Sequence, residues 1–154
     1  MKYVVFVRHG SYSENTGRLN GCGVEQMRLL AEKLRLLSSD SGRFRLICSI
    51  APRAVDSALE LFDALKLDGF EAHGLLWSDN RHQQRDDAAL ELIRHRGEGA
   101  DSLIVVSHLD YVRDLPPKFA KRTLGQTIET IELSKGQARL IDCRAARPTD
   151  LILS

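Results

Sequence analysis

The chain has 154 residues, and its 22 Lys and Arg residues almost balance its 21 Asp and Glu residues, which leaves a formal net charge of +1. This near balance of positive and negative charge argues against a polyanion-binding surface, and we expect no nucleic-acid partner. The hydrophobic fraction of 43% is typical of a packed globular core, and the length predicts one domain over residues 1–154.

The sequence also bears on the compartment. No apolar run approaches the roughly 20 residues of a membrane helix, and the stretch Tyr3–Val7 ends at once at Arg8. We therefore expect neither a membrane span nor a secretory signal. Three cysteines are present, at Cys22, Cys48 and Cys143. They are widely spaced and form no CxxC pair, which predicts no disulfide framework, no zinc site and a cytoplasmic protein.

The first half of the chain alternates strand and helix patterns. Tyr3–Val7 is apolar on both faces, as expected of a central strand in a parallel sheet. Phe44–Cys48 predicts a second strand, and Pro52 stands near the start of the helix after it, where proline is tolerated. Two helical stripes are spaced for burial, one of Met27, Leu30, Ala31, Leu34 and Leu37, the other of Ala54, Ala58, Leu61, Phe62 and Leu65.

The middle of the chain continues this alternation. A weaker strand is predicted near Phe70–Trp77, followed by a polar segment and a helix through Leu90, Ile93 and Arg94. Ser102–Val106 is a clear buried strand. A helix beginning near Asp110 follows it.

The C-terminal part carries two further signals. The pair Pro116–Pro117 should disturb the helix that begins near Asp110. Thr127–Leu133 and Gln137–Asp142 alternate apolar and polar residues around a short turn, which predicts a hairpin at one side of the sheet. The whole pattern predicts a three-layer α/β/α domain with a mostly parallel sheet and short antiparallel C-terminal additions.

Charged and nucleophilic side chains follow the predicted strands. Arg8, His9 and Gly10 come after the first strand, Arg53 opens the helix after the second, and His108 follows the Ser102–Val106 strand. Ligand sites in such folds lie beyond the carboxyl ends of the strands. Guanidinium groups bind phosphate oxygens, and an imidazole with a free ring nitrogen can attack phosphorus. The set predicts phosphoryl transfer with no metal and no cofactor, because the cations supply the charge.

In their order along the chain, these residues resemble the histidine phosphatase superfamily, the phosphoglycerate-mutase-like clan. The matching segments are Arg8-His9-Gly10, Asn15, Leu19-Asn-Gly-Cys-Gly23-Val-Glu-Gln26, Ser49-Ile-Ala-Pro-Arg53-Ala54-Val-Asp-Ser57-Ala58 and Val105-Val-Ser-His108. They span about two-thirds of the chain, and although each is weak alone, together they are specific. The resemblance implies a phosphoglycerate-mutase-like fold and a phosphatase.

The resemblance also implies a role for each matching residue. His9 would be the nucleophile that becomes phosphorylated, and water would then hydrolyse the phosphohistidine. The phosphoryl group would be held by Arg8, Arg53 and His108. A hydrogen bond from the other His9 nitrogen to a backbone carbonyl near Gly10 would set the reactive tautomer. Asn15 matches an asparagine that touches the phosphate in many members.

The proton donor of the family is less clearly matched. Many members carry a Glu or Asp on the loop after the third strand, and Asp79 is the candidate here, although one alignment places Asn80 at that position. The imidazole of a phosphohistidine leaves phosphorus more easily than an alkyl alcohol does, so its departure needs no strong acid. A missing acid would therefore favour phosphohistidine on a protein, as in the short SixA-like branch of the superfamily.

Three functions remain open from the sequence. The first is a metal-independent phosphatase acting on a phosphomonoester, such as a phosphorylated small molecule, or on a phosphohistidine protein. The second is a module that binds phosphate or a phosphoprotein without turnover. The missing clear match to the proton donor and the presence of Ser11 would both permit this function. The third is a phosphoglycerate mutase, which the short chain and the pair Ser11-Tyr12 disfavour.

Overall fold

The computed structural model describes residues 1–78 and 84–154, apart from the side chains of residues 38–41. Its strands are β1 (Tyr3–Arg8), β2 (Phe44–Ser49), β3 (Glu71–His73), β4 (Ser102–Ser107), β5 (Ala138–Asp142) and β6 (Asp150–Leu153). Its α-helices are α1 (Gly21–Ser41), α2 (Pro52–Leu65), α3 (Asp86–Gly97) and α4 (Leu109–Phe119).

The strands form one six-stranded sheet with the order β3-β2-β4-β1-β5-β6. The four strands from β3 to β1 are parallel, β5 is antiparallel to β1, and β6 is antiparallel to β5. The predicted fold class, a mostly parallel sheet with antiparallel C-terminal additions, is confirmed. β1 lies inside the sheet between β4 and β5, as its apolar sequence predicts.

Both faces of the sheet are covered by helices. Val5 and Val7 of β1 face the core formed with α1 and α2, whereas Val4 and Phe6 face the core formed with α3 and α4. All four side chains are at most 1% exposed. A strand buried on both faces needs apolar residues at consecutive positions, which explains the uninterrupted run in this segment. No helix in the described part of the chain is long and apolar enough to cross a membrane.

The first two helices form where their sequence signals lie. Asn20 caps α1, and its side-chain oxygen accepts a hydrogen bond from the Gly23 N–H at 2.9 Å. Pro52 is the first residue of α2, where a missing N–H costs nothing because it would have no helical partner. The buried stripes of both helices are those that the sequence predicts, except that the half-buried Leu37, Phe62 and Leu65 lie at the edge of the core.

Gly10 and Gly23 are required by close backbone contact. A Cβ on Gly10 would lie 2.9 Å from the Cα of Gly23, and a Cβ on Gly23 would lie 2.1 Å from the carbonyl oxygen of Ser11. Both contacts are shorter than carbon and oxygen atoms tolerate. The loop that leaves β1 therefore packs directly on the first turn of α1.

The third strand is shorter than predicted. β3 covers only Glu71–His73, and a 3-10 turn over Gly74–Leu76 follows it. The Trp77 N–H donates to the carbonyl oxygen of Gly74 at 3.1 Å and closes this turn. An edge strand gains ladder hydrogen bonds from one neighbour only, so the local turn ends it early.

Helix α4 continues through the proline pair, contrary to the prediction. Pro116 and Pro117 lie inside the helix, and Pro116 is buried. A proline removes a hydrogen-bond donor but keeps its carbonyl, and both carbonyls accept from the Ala120 N–H. The departure from α-helical geometry comes afterwards, as a π turn over Ala120–Leu124.

The predicted C-terminal hairpin is wrong. Residues 127–133 form no strand, and β5 pairs with β1 and with β6, a strand that the sequence does not predict. The buried Arg139 of β5 holds the preceding segment in place of a ladder, since its guanidinium donates to the Glu129 carbonyl at 2.6 Å. The same guanidinium forms an ion pair with Asp150 of β6 at 2.6 Å.

Candidate active site

The ends of β1 and β4 bring two histidines together. These strands pair in parallel with Arg8 opposite Ser107, so the next residues, His9 and His108, leave the sheet side by side. Their ring centroids lie 5.2 Å apart, with the rings inclined at 62°. Both side chains are 4% exposed. The contact that the sequence predicts between these strand ends is present.

The His9 ring is held in one tautomer. Its Nδ1–H donates to the carbonyl oxygen of Gly10 at 2.9 Å, which leaves the lone pair on Nε2. The predicted hydrogen bond near Gly10 is therefore present. Burial is the main cause that lowers the His9 pKa from 6.5 to about 4, and the charges of Arg53 and Arg8 lower it further. The imidazole is thus neutral at neutral pH, as a nucleophile must be.

Arg53 connects the two imidazoles. Its Nε–H donates to His9 Nε2 at 3.3 Å, and its Nη2 lies 3.3 Å from His108 Nδ1. On its far side, His108 places Nε2 2.8 Å from the hydroxyl oxygen of Ser49, which also accepts from the Ala51 N–H. The network therefore assigns the His108 proton to Nε2 and leaves Nδ1 to accept from the guanidinium.

A second serine fixes the backbone around this network. The Ser57 hydroxyl donates to the carbonyl oxygen of Arg53 at 2.7 Å, one turn earlier on α2. The same hydroxyl oxygen accepts from the Gly10 N–H at 3.0 Å. Ser57 thereby joins the start of α2 to the residue that follows His9.

Arg8 is a half-buried cation beside His9. Its Nη1–H donates to the Leu133 carbonyl at 2.8 Å, and its buried Nε–H finds no hydrogen-bond partner among the described residues. Burial lowers the pKa of the guanidinium from its ordinary value. A buried donor without a partner costs free energy, and an anion beside it would remove that cost.

Two aromatic rings line the histidine pair. The Tyr12 ring meets His9 edge to face at 5.3 Å, and the guanidinium carbon of Arg53 lies 4.9 Å from the centre of the same ring. Trp77 stacks on His108 with centroids 6.5 Å apart and an interplanar angle of 21°. These rings restrict the positions that both imidazoles and Arg53 can take.

The structure brings four of the six predicted site residues together. Arg8, His9, Arg53 and His108 form the cluster just described. Asn15 lies exposed in the turn over residues 14–16, and no described contact links it to His9. Asp79 and the alternative Asn80 lie outside the described residues.

Several residues of the site carry no sequence signal for this role. Ser49 and Ser57 lie in a segment that matches the family pattern, but the sequence predicts no role for either hydroxyl. The end of β2 and the second turn of α2 place these hydroxyls beside the cluster. In the sequence, Tyr12 bears only on the mutase alternative, which the pair Ser11-Tyr12 disfavours. Lys135 has its Nζ 4.8 Å from the centre of the Tyr12 ring. It belongs to a turn 126 positions after His9 in the sequence, and no local pattern predicts this contact.

A cavity in the protein does not coincide with this cluster. A cavity of about 1120 Å³ lies at the amino ends of the strands, lined by Arg43, Phe44, Ala100 and Asp101 among others. Within residues 1–78 and 84–154, no three His, Cys, Asp or Glu side chains are grouped to hold a metal ion. The expectation of a metal-independent reaction remains a prediction.

Comparison with known proteins places this arrangement in a structural context. No protein-family model matches the chain, and no curated protein matches it in sequence. Among solved structures, the protein histidine phosphatase SixA complexed with tungstate is similar over 99% of this chain and 96% of that chain, with a TM-score of 0.74 and 19% identity. The chain has the fold of the histidine phosphatase superfamily. The resemblance inferred from the sequence is confirmed at the level of the fold.

Other solved structures are similar at lower scores. A mycobacterial glucosyl-3-phosphoglycerate phosphatase complexed with VO3 matches 92% of this chain and 93% of its own, with a TM-score of 0.65 and 15% identity. A phosphoserine phosphatase variant from Entamoeba histolytica, in complex with phosphoserine, matches 97% of this chain and 95% of its own, with a TM-score of 0.63 and 12% identity.

Proposed function

We propose that the protein is a metal-independent phosphatase that works through a covalent phosphohistidine at His9. The observation that carries this proposal is the neutral His9 ring, with its lone pair on Nε2 and Arg53 bonded to that nitrogen. A nucleophile beside a cation is what attack on a phosphoryl group requires. The solved structures with the same fold that are named above are phosphatases, which supports the assignment.

The first step transfers the phosphoryl group to the protein. The guanidinium groups of Arg8 and Arg53 bind the phosphoryl oxygens, and Arg53 exchanges its contact with His9 for a contact with substrate. The lone pair of His9 Nε2 forms a bond to phosphorus while the bond from phosphorus to the leaving oxygen breaks. The leaving oxygen keeps the bonding pair and takes a proton, for which we propose Asp79 as the donor.

The second step returns the free enzyme. A water oxygen forms a bond to phosphorus as the bond from phosphorus to His9 Nε2 breaks, and the nitrogen recovers its lone pair. The water loses its proton to the medium or to the conjugate base of the donor, and inorganic phosphate leaves. Throughout both steps, the Gly10 carbonyl stabilises the imidazole by accepting its Nδ1–H.

The substrate class follows from the same chemistry. We propose a phosphomonoester or a phosphohistidine-bearing protein, since both present a phosphoryl dianion to Arg8, Arg53 and His108. Two of the similar structures are complexed with tungstate and with VO3, which are oxyanions that resemble phosphate, and these complexes support an oxyanion pocket in this fold.

The test is hydrolysis of an aryl phosphate in the presence of a chelator. An aryl leaving group needs little protonation, so the assay examines the pocket before the acid. We expect turnover by the wild type and a loss of at least a thousandfold in His9→Ala, since the covalent step has no other nucleophile. His95→Ala, which removes an exposed imidazole on α3, is the matched control and should retain full activity.

Two further outcomes would decide the role of the site. Equal rates for wild type and His9→Ala would rule out the phosphohistidine route. Vanadate binding without hydrolysis of either the aryl phosphate or a phosphohistidine peptide would establish a binding module instead. Asp79→Ala should slow alkyl phosphates more than aryl phosphates, because only the alkyl leaving group depends on a proton.

A further inference from the structure

A short turn near the C-terminal end lies directly on the residue pair that carries the nucleophile. The Gln137 N–H donates to the Ser134 carbonyl at 3.0 Å and closes the turn. The Gly136 N–H donates to the carbonyls of both Arg8 and His9, at 3.2 Å each. The backbone of the turn is therefore fixed to the site, and the side chain at its tip, Lys135, extends from a rigid base.

The Lys135 ammonium lies beside the histidine pair. Its Nζ is 4.8 Å from the centre of the Tyr12 ring. The same ring contacts His9 and Arg53, which places three cationic or nucleophilic groups around one aromatic side chain. The Lys135 charge is also among the causes that lower the His9 pKa, as expected of a cation within electrostatic reach of that ring.

The Lys135 charge is not neutralised within the described part of the protein. No described carboxylate forms an ion pair with it, and Glu132, three residues earlier, is paired instead with Arg113 at 4.0 Å. The side chain is exposed, and a contact with a ring face leaves N–H donors of the ammonium available. Arg8 and Arg53 already supply two cations for one phosphoryl group, so Lys135 is a further cation.

We propose that Lys135 is a specificity-determining residue, and that it binds a second anionic group, such as a carboxylate, on the phosphorylated substrate. Tyr12 sets the distance between this group and the phosphoryl group, because its ring contacts both Lys135 and Arg53. The inference rests on the proposed phosphate pocket and adds the charge of the substrate beyond its phosphoryl group.

The test compares pairs of ligands that differ in one charge. Meta- and para-carboxyphenylphosphonate each carry a carboxylate, and the matching carbamoyl compounds have the same shape without that charge. Phosphonates are not hydrolysed, so titration calorimetry measures their affinity whether or not the protein turns over substrate. For the better isomer, we expect the wild type to bind the carboxylate about three- to fivefold more tightly than the amide, the range of a solvent-exposed ion pair.

Variants separate Lys135 from the general positive field of the site. Lys135→Gln should lose that three- to fivefold preference, whereas Lys135→Arg should keep it. Lys33→Gln is the matched control, because Lys33 is an exposed lysine about 18 Å along α1 from Gly21 and should leave the preference unchanged. Thermal unfolding of each variant checks that the fold is retained.

The results distinguish this inference from the proposed function. If wild type and Lys135→Gln bind the phosphonates with the same ratio of affinities, Lys135 has no role in specificity although the phosphate pocket stands. Absence of a preference in the wild type overturns the inference in the same way. If no phosphonate binds, both the phosphate pocket and the role of Lys135 are wrong.

Discussion

His9 is a titratable residue in buried surroundings. Its pKa falls from 6.5 to about 4, first because burial disfavours the charged imidazolium and then because neighbouring cations repel it. Nitrogen-15 NMR of the ring should show protonation with a midpoint near 4, and above that midpoint the lone pair should be on Nε2. A midpoint near 6.5, or a lone pair on Nδ1, would contradict the assigned network.

The same shift makes stability depend on pH. The unfolded chain takes up a proton on His9 near pH 6.5, whereas the folded protein takes it up only near pH 4. Between these values the unfolded state binds more protons, so the free energy of unfolding falls as the pH falls. His9→Asn should remove part of this dependence, at most about 3 kcal/mol between pH 7 and pH 4. Urea denaturation at several pH values measures it, and identical slopes would argue against the shift.

We predict that Ser49 is a positioning residue that acts through His108. Its hydroxyl lies 2.8 Å from His108 Nε2, and with Ala51 N–H it completes a buried hydrogen-bond network. In Ser49→Ala we expect kcat to fall roughly tenfold with little change in KM, because His108 loses the contact that fixes its tautomer. The cost in stability should be about 1–3 kcal/mol. An unchanged kcat together with an unchanged His108 ring spectrum would show that Ser49 has no such role.

At the scale of elements, one buried arginine joins three parts of the chain. Arg139 on β5 is 1% exposed and bonds both Asp150 on β6 and the Glu129 carbonyl. Asp150→Asn should lower the free energy of unfolding by about 2–4 kcal/mol, since it leaves a buried guanidinium without a countercharge. Arg139→Met should lower the free energy of unfolding by less, because it removes the buried charge and keeps an apolar side chain. Urea denaturation ranks the two, and the reverse order would refute this account.

How well the elements could be predicted depends on where their stabilisation comes from. β1, β4 and the helices α1 and α2 follow from the sequence, because burial on a fixed face imposes a period on their residues. Residues 127–133 have the same alternation as a strand, yet the Arg139 side chain holds them without a ladder. The hydrogen bond between Arg139 and the Glu129 carbonyl joins residues that are not close in sequence, so no local pattern predicts it.

The candidate site shows the same division. Arg8, His9, Arg53 and His108 could be predicted, since strand ends in a parallel sheet converge whatever the intervening sequence is. The contacts of Tyr12 and Lys135 could not, because they depend on how two loops pack. Asn15 was expected from the family pattern, and the structure leaves it in an exposed turn.

For the whole molecule, an oxyanion that binds only the folded state should stabilise it. At a vanadate concentration about a hundredfold above Kd, the free energy of unfolding should rise by about 2.7 kcal/mol. A domain of this size should then unfold about 5–10 °C higher. Arg53→Ala should lose most of this shift, since Arg53 contacts both histidines of the pocket. Sodium chloride at equal ionic strength is the control, and an equal shift in Arg53→Ala would place the oxyanion elsewhere.

The hydrogen bond from Arg8 to the Leu133 carbonyl spans 125 positions of the chain, and Gly136 closes on the same strand end. During synthesis on the ribosome, Leu133 and Gly136 are therefore translated more than a hundred codons after Arg8 and His9. A nascent chain that stops before residue 133 has His9 but lacks the contacts that position its neighbouring arginine. The contacts of the proposed phosphate pocket are therefore complete only once residue 136 has been made, so products of the same message that stop before it lack them.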